Sequence, residues 1–300
     1  MNRLETEFLG ISMKNPIIAA SGTFGFGEEY SRFYDVGKLG GICSKGLTLD
    51  SKKGNTGIRI WETASGVMNS IGLQNPGVQQ FIEREYERMK SYGSAVIVNL
   101  GGGCEDEYVL AAEMLNQTEI DILELNISCP NVKKGGMAFG IRAADVEYIT
   151  QKIKQVTIHP LMVKLSPNAE NISDAAMAAE AAGADAVSLV NTFQAMAIDI
   201  NKKEAVFDNL YAGLSGSAIK PIALRMVHQV AHRVGIPVCG IGGILTWEDA
   251  LEFIMAGASV VQVGSGMFHD MLSPLKIIDG LDQYCKKNAV ENIAQLKKII

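Results

Sequence analysis

Eight short apolar segments, each followed by a stretch of helical periodicity, constrain the fold of this chain more than any other feature. Each segment is bounded by Gly, Pro, Asn or Ser and lacks the strict alternation of a half-buried strand. In chain order they are PIIAA (16–20), GICSK (41–45), AVIVNL (95–100), ILELNIS (122–128), LMVKLS (161–166), AVSLVN (186–191), PVCGIGG (237–243) and VVQVGS (260–265). Such segments are typical of parallel strands that are buried on both faces.

Amphipathic stretches lie between these segments, and we expect them to form helices. They cover residues 76–92, 105–116, 143–157, 169–182, 219–234 and 246–256. Strands alternating with helices in this number predict an α/β fold, a (β/α)8 TIM barrel, with a doubly wound parallel sheet as the alternative. We further expect an N-terminal hairpin over residues 4–15, a C-terminal helix over residues 286–300, and a single domain over residues 1–300.

The composition excludes several classes of protein. A hydrophobic content of 47% supplies a large core, and a net charge of −6 argues against a nucleic-acid partner. We expect no membrane span, because the uncharged stretch 63–82 holds too many polar groups, and the first ten residues do not resemble a signal peptide. Five scattered cysteines predict neither disulfides nor a metal site, and indicate a cytoplasmic protein.

Polar side chains and glycines follow the predicted strands, where the active site of a TIM barrel lies. They are Ser21, Lys45, Asn99, Asn126, Lys164, Asn191, Gly242, Gly243, Gly264 and Ser265. An asparagine at a strand end is commonly a turn former, but a lysine in a buried strand needs an anionic or acceptor partner. Lys45 and Lys164 are therefore the strongest functional candidates among them.

Two glycine-rich segments, GIGGI (240–244) and VGSGM (263–267), follow the seventh and eighth predicted strands. TIM barrels commonly bind phosphate at these two positions, because backbone N–H groups there can approach an anion closely. The pair of loops predicts a ligand that carries a phosphate group.

Cys129 is the most reactive candidate, because it follows the fourth strand at a proline and precedes a glycine- and lysine-rich loop. A thiol can act as a nucleophile or, once ionised, as a base. The four histidines lie in helical or connecting positions, so the sequence offers no Cys–His couple and favours a base. The segment VMNSIGLQNPG (67–77) is a polar turn that either enters a helix or recognises a ligand through Asn69 and Asn75.

Together these residues lie in motifs that resemble those of the dihydroorotate dehydrogenases over nearly the whole chain. The motifs are SGTFGFG (21–27), SKGLT (44–48), NSIGLQNPG (69–77), NISCPNVK (126–133), VKLSPN (163–168), VNTF (190–193), GLSGSAIKPIALR (213–225), GIGGI and VGSGMF (263–268). The resemblance implies a (β/α)8 barrel that carries FMN. The chain departs from the usual pattern at Ala195, Ala212 and Ser217.

The resemblance also implies a type within the family. Membrane-bound, quinone-dependent members have a hydrophobic N-terminal extension and a serine base, and fumarate-dependent members usually continue SCPNVPG. The segment VKKGGMAFG (132–140) is similar to the soluble NAD-linked type. This type implies a homodimeric FMN core in a heterotetramer with an iron–sulfur flavoprotein, which holds FAD and a [2Fe–2S] cluster and passes electrons to NAD.

Site residues follow from the matching motifs. Those implied around FMN are Ser21, Lys45, Gly46, Asn99, Asn126, Lys164, Val190, Gly216, Gly242, Gly243, Gly264 and Ser265. Those implied around dihydroorotate are Lys45, Asn69, Ser70, Ile71, Gly72, Leu73, Asn126, Asn191 and Thr192. Cys129 would take the proton from C5 as C6 gives up hydride, which yields orotate for pyrimidine (UMP) synthesis.

Other functions stay open from the sequence. Within redox enzymes these are the fumarate-dependent type and a dihydropyrimidine dehydrogenase-like reductase. From other classes, a phosphate-sugar isomerase or synthase barrel or a non-catalytic phosphate-binding protein would use the same glycine loops without a flavin.

Overall fold

Eight parallel strands close into a barrel in the computed structural model, which describes residues 2–128 and 139–300. Numbered β1–β8 in chain order, they are Ile17–Ala19, Gly41–Cys43, Ala95–Leu100, Ile122–Asn126, Leu161–Lys164, Ala186–Leu189, Val238–Ile241 and Val260–Val263. Each strand pairs with the next, and β8 pairs with β1. The predicted (β/α)8 barrel is confirmed, and the doubly wound alternative is wrong.

Helices follow the strands on the outside of the barrel. The α-helices are Glu28–Ser31, Val78–Gln80, Tyr86–Ser91, Glu105–Leu115, Ala143–Val156, Ile172–Ala181, Lys220–Ala231, Trp247–Met255, Gly266–His269 and Ser273–Lys287. A π-helical stretch, Phe81–Glu85, joins the second to the third. Within the described ranges, none of these helices has the length and apolar character needed to cross a bilayer.

Alternation along each strand divides the core into two layers. Leu123 and Leu125 of β4 point outward and pack in the large cluster between strands and helices. Ile122, two residues before Glu124, belongs instead to a smaller cluster inside the barrel. Both faces of every barrel strand are thus buried, which explains why the strands appear in the sequence as nearly continuous apolar runs.

The N-terminal hairpin closes the lower end of the barrel, as predicted. Thr6–Phe8 pairs antiparallel with Ile11–Met13. Phe8 and Met13 are almost fully buried and join the cluster inside the barrel. The hairpin therefore seals the end opposite the carboxyl ends of the strands.

The C-terminal helix exists but not over the predicted residues 286–300. It covers Ser273–Lys287, and Ile277, Leu281 and Cys285 give it a buried stripe. Ala289 has φ 54°, a left-handed conformation that ends the helix. Only a short 3-10 turn, Ile293–Leu296, follows.

A four-stranded antiparallel sheet lies beside the barrel mouth. Its order is Phe193–Met196, Tyr211–Ser215, Gly66–Asn69 and Ile60–Thr63. The interpretation of 67–77 as a turn is therefore wrong for its first residues. A further two-stranded pair, Ile198–Asp199 with Glu204–Ala205, extends from it.

Candidate active site at the carboxyl ends of the strands

A cavity of about 260 Å³ opens at the carboxyl ends of the barrel strands. Its wall brings together most of the residues that the sequence singled out. These are Ser21, Lys45, Gly46, Asn69, Ile71, Leu73, Asn99, Asn126, Lys164, Val190, Asn191, Thr192, Gly242, Gly243, Gly264 and Ser265. Residues more than 240 positions apart in the chain thus share one site, as the barrel topology requires.

Three predicted residues do not line this cavity. Gly216 lies behind the wall, where a Cβ on Gly243 would come within 2.8 Å of its carbonyl oxygen. Ser70 accepts hydrogen bonds on its hydroxyl from Asn55 and Asn209, away from the cavity. Gly72 packs against Asn55. In the segment 69–73 alternate residues line the cavity, which resemblance to a motif alone did not predict.

Cys129, the predicted base, lies outside the described residues. Its role remains a prediction from the sequence.

A buried carboxylate inside the barrel organises the floor of the cavity. Glu124 Oε1 accepts hydrogen bonds from Asn99 Nδ2 at 2.6 Å, from Lys164 Nζ at 3.4 Å and from Cys43 Sγ at 3.4 Å. Its Oε2 accepts from Gln262 Nε2 at 2.7 Å and from Ser188 Oγ at 2.9 Å. Glu124 is fully buried and lies outside the set of cavity-lining residues.

Glu124 and Lys164 stay charged in spite of this burial. Burial alone would raise the pKa of Glu124, but the Lys164 ammonium and the hydrogen bonds from Gln262, Asn99 and Ser188 lower that pKa below its usual value. Burial likewise favours neutral Lys164, but the Glu124 carboxylate raises the pKa of Lys164 above its usual value. The ion pair therefore holds the positively charged ammonium group of Lys164 at the cavity floor.

Lys45 differs from Lys164, because no described carboxylate forms an ion pair with it. Burial, and then the nearby Arg59 guanidinium, lower the pKa of Lys45. Its side chain also lines a second, shallower depression with Lys52 and Lys53. Lys45 lies between this basic depression and the main cavity, and its ammonium group has no carboxylate partner among the described residues. It is therefore suited to bind an anion.

The loop after β7 has two positions at which the backbone conformation and the surrounding protein leave no room for a side chain. Gly242 and Gly243 have φ 133° and 72°, conformations that other residues adopt only with strain. A Cβ on Gly243 would also lie 2.9 Å from the backbone nitrogen of Lys220. Both glycines line the cavity, so the loop brings backbone without side chains to the cavity wall, and backbone N–H groups in such a position can bind a phosphate.

Some functional residues were missed by sequence reasoning. The cavity wall also includes Ala20, Gly22, Thr23, Ile60, Val67, Ser215, Ile219, Ile241, Ile244 and Phe268. Glu124, Ser188 and Gln262 were missed as well, although a polar residue within an apolar strand was a usable signal.

The fold and the cavity define a TIM-barrel protein that can bind an anionic, phosphate-bearing ligand. Comparison with known proteins narrows this class. The family model for dihydroorotate dehydrogenase matches residues 3–285. The chain belongs to the dihydroorotate dehydrogenase family, and the resemblance drawn from the motifs is confirmed.

Curated relatives are similar over nearly their whole length. A protein of Petrotoga mobilis is 53% identical over 97% of both chains. One of Brachyspira hyodysenteriae is 50% identical over 99% of this chain and 98% of its own. One of Bacteroides fragilis is 47% identical over 95% of both. Each of these relatives is named dihydroorotate dehydrogenase B (NAD(+)), catalytic subunit.

Proposed function

We propose that this protein oxidises (S)-dihydroorotate to orotate in pyrimidine synthesis, as the FMN-containing catalytic subunit of an NAD-linked dihydroorotate dehydrogenase. The observation that carries the proposal is the cavity, in which two lysines, four asparagines and two glycine loops meet. The relatives named for this activity support it over a flavin-free barrel.

The residues present fit FMN. Gly243, Gly264 and Ser265 offer backbone N–H groups to a phosphate, and a Cβ on Gly264 would have its closest contact at 3.5 Å, in space the ligand can use. Lys164, held by Glu124, would offset the negative charge of a reduced flavin in this cavity. When bound, FMN supplies the acceptor for the substrate's hydride.

The same cavity fits dihydroorotate. Lys45 offsets the substrate carboxylate, because its ammonium has no described carboxylate partner. Asn69, Asn126 and Asn191 offer amide groups to the edges of the dihydropyrimidine ring. Cys129, in the motif NISCPNVK, takes the proton from C5 while the C6–H bond breaks.

The electron acceptor and the assembly complete the proposal. Electrons leave for NAD through a partner, an iron–sulfur flavoprotein with FAD and a [2Fe–2S] cluster; two such subunits dock on a homodimeric core, and the heterotetramer is cytoplasmic. The names of the relatives, which specify a catalytic subunit and NAD(+), support a partner. The free thiols of Cys43, Cys104, Cys239 and Cys285 support a reducing compartment.

An exposed apolar surface supports the homodimer. Ile198, Ile200 and Tyr211 are each at least half exposed, and all belong to the strands and turn beside the cavity mouth. Apolar side chains exposed on such strands are typical of a protein interface. We assign it to a second copy of this chain.

The test is to assay the purified chain with dihydroorotate and three acceptors. The proposal expects bound FMN, reduction of an artificial dye, and reduction of NAD only after the iron–sulfur flavoprotein is added. Efficient NAD reduction by the chain alone would contradict the two-subunit assembly. Efficient fumarate reduction would assign the protein to the other soluble type, and turnover of dihydrouracil instead of dihydroorotate would assign it to the reductases.

A further inference from the structure

Glu124 is a buried charge to which the proposed chemistry gives no task beyond its ion pair with Lys164. It touches no cavity space, yet its two oxygens collect five hydrogen-bond donors. One of these donors, Asn99, begins a continuous chain of asparagine side chains.

The chain runs from the barrel interior to the cavity wall. Asn99 Nδ2 donates to Glu124 Oε1 at 2.6 Å, and Asn99 Oδ1 accepts from Asn126 Nδ2 at 3.4 Å. Asn126 Oδ1 accepts from Asn191 Nδ2 at 3.2 Å, and Asn191 Oδ1 accepts from the Thr192 backbone N–H at 2.8 Å. Each amide therefore gives its nitrogen to the inner neighbour and its oxygen to the outer one.

The carboxylate dictates this direction. An ionised carboxylate can only accept, so Asn99 must turn its nitrogen toward Glu124 and its oxygen toward Asn126. The same constraint passes to Asn126 and then to Asn191. The backbone N–H of Ser128, which donates to Asn126 Oδ1 at 3.2 Å, agrees with the direction from the outer side.

We infer that Glu124 is a positioning residue that fixes the direction of the asparagine chain, so that the amides face the ligand with N–H groups. Asn126 Oδ1 already accepts two hydrogen bonds, whereas each amide keeps a second N–H. The wall selects ligands that present carbonyl or carboxylate oxygens to it. This inference rests on the proposed function for the identity of the ligand, orotate or dihydroorotate.

The substitution Glu124→Gln removes the charge at position 124 but keeps an oxygen that can accept a hydrogen bond from Asn99. Lys164 Nζ and Asn99 Nδ2 both donate to Oε1, and a lysine can only donate, so Glu124→Gln must keep an oxygen at that position. Its nitrogen then takes the place of Oε2. There Gln262 Oε1, which has no hydrogen-bond partner among the described residues, can accept after the Gln262 amide turns.

The experiment measures the orotate dissociation constant, from the change in flavin absorbance, for Glu124→Gln and Glu124→Met. Both variants lack the charge and have similar volumes, but only glutamine keeps an acceptor for Asn99. We expect Glu124→Gln to bind orotate within about threefold of wild type and Glu124→Met to bind it about tenfold more weakly, on the scale of one lost hydrogen bond. KM should rise more than kcat falls. Equal affinities for the two variants would overturn the inference.

Glu124→Asp covers the case in which Glu124→Met does not fold. Aspartate keeps the charge but withdraws the carboxylate from Asn99 by one methylene, so it should bind orotate more weakly than Glu124→Gln. The reverse order would assign the effect to charge and overturn the inference. Wild-type protein that retains FMN but does not bind orotate would contradict the proposed function itself, before any variant is compared.

Discussion

Polar groups are buried and paired with one another in the barrel interior, whereas those of the antiparallel sheet at its mouth are partly exposed to water. Inside the barrel, Glu124, Lys164 and Ser188 are buried and satisfy one another on rigid parallel strands. In the mouth sheet, alternate residues of Phe193–Met196 are exposed, and Asn69 is only half-buried. The charged side chains of the interior are therefore held in one position, whereas the polar side chains at the mouth are also in contact with water.

The difference separates two tasks of the site. A buried carboxylate that accepts from five donors keeps its geometry whether or not a ligand is present. Lys45, which lies between the cavity and the basic depression, has no such partner among the described residues and can exchange water for an anion. We therefore expect loss of Lys164 in the interior to affect stability and the flavin, and loss of Lys45 at the mouth to affect the substrate.

We expect the largest effect from loss of Cys129, the proposed base, which follows β4 in the sequence. Cys129→Ala should retain FMN but slow flavin reduction by dihydroorotate by about 10²-fold or more, because the base is lost. Rapid-mixing measurement of the half-reaction gives this rate. Cys104→Ala, which removes a free and partly buried thiol elsewhere, is the control and should react at the wild-type rate. A normal rate in Cys129→Ala would remove the thiol from the mechanism.

The next effect tests the interior. Lys164→Met leaves Glu124 as an unpaired buried carboxylate and should lower the free energy of unfolding by about 3–5 kcal/mol. It should also lower the flavin potential or the FMN content, because the charge that offsets reduced flavin is lost. Lys154→Met breaks a half-exposed ion pair with Asp185 and should cost about 1 kcal/mol or less. Equal destabilisation of both variants would show that the interior pair has no special role.

A third effect tests the mouth through pH. The pKa of Lys45 is lowered by burial and by Arg59, so as pH rises Lys45 loses its proton before an ordinary lysine does. Only the charged form attracts the substrate carboxylate, so KM for dihydroorotate should rise with pH through that ionisation. Lys164, whose pKa is raised, stays charged over the same range and should hold FMN unchanged. A Lys45→Met variant should have a high KM at every pH and lose this alkaline rise.

The smallest effect on the reaction is expected at the outer edge of the mouth sheet. Replacing Ile198 and Ile200 by serine should weaken self-association, since both side chains are exposed and apolar. The rate of flavin reduction per chain should change by less than about twofold. Sedimentation velocity measures the assembly, and a double variant that stays dimeric would move the interface elsewhere.

The barrel could be predicted from the sequence because burial on both faces makes its strands apolar throughout. All eight predicted segments contain the observed barrel strands, β3 (Ala95–Leu100) with the same bounds. Lys164 and the glycine pairs were identifiable because polar residues at strand ends break this pattern.

The mouth sheet could not be predicted in the same way. Its strands are short and half-exposed, and Gly66–Asn69 pairs with Tyr211–Ser215 from a distant part of the chain. The strand Gly66–Asn69 ends where the turn-forming residues Ser, Gly, Asn and Pro of 70–77 begin, and these residues hid it in the local sequence pattern. Glu124 was missed for another reason, because its partners come from five other strands and meet only when the barrel closes.

The central claim is that this barrel holds a flavin that dihydroorotate reduces. The most direct measurement is an anaerobic titration of the purified chain with dihydroorotate, followed by flavin absorbance and by analysis of the product. We predict one FMN per chain, complete loss of the oxidised flavin's absorbance, and one orotate formed for each FMN reduced. Protein that binds no flavin, or a flavin that dihydroorotate leaves oxidised, would contradict it.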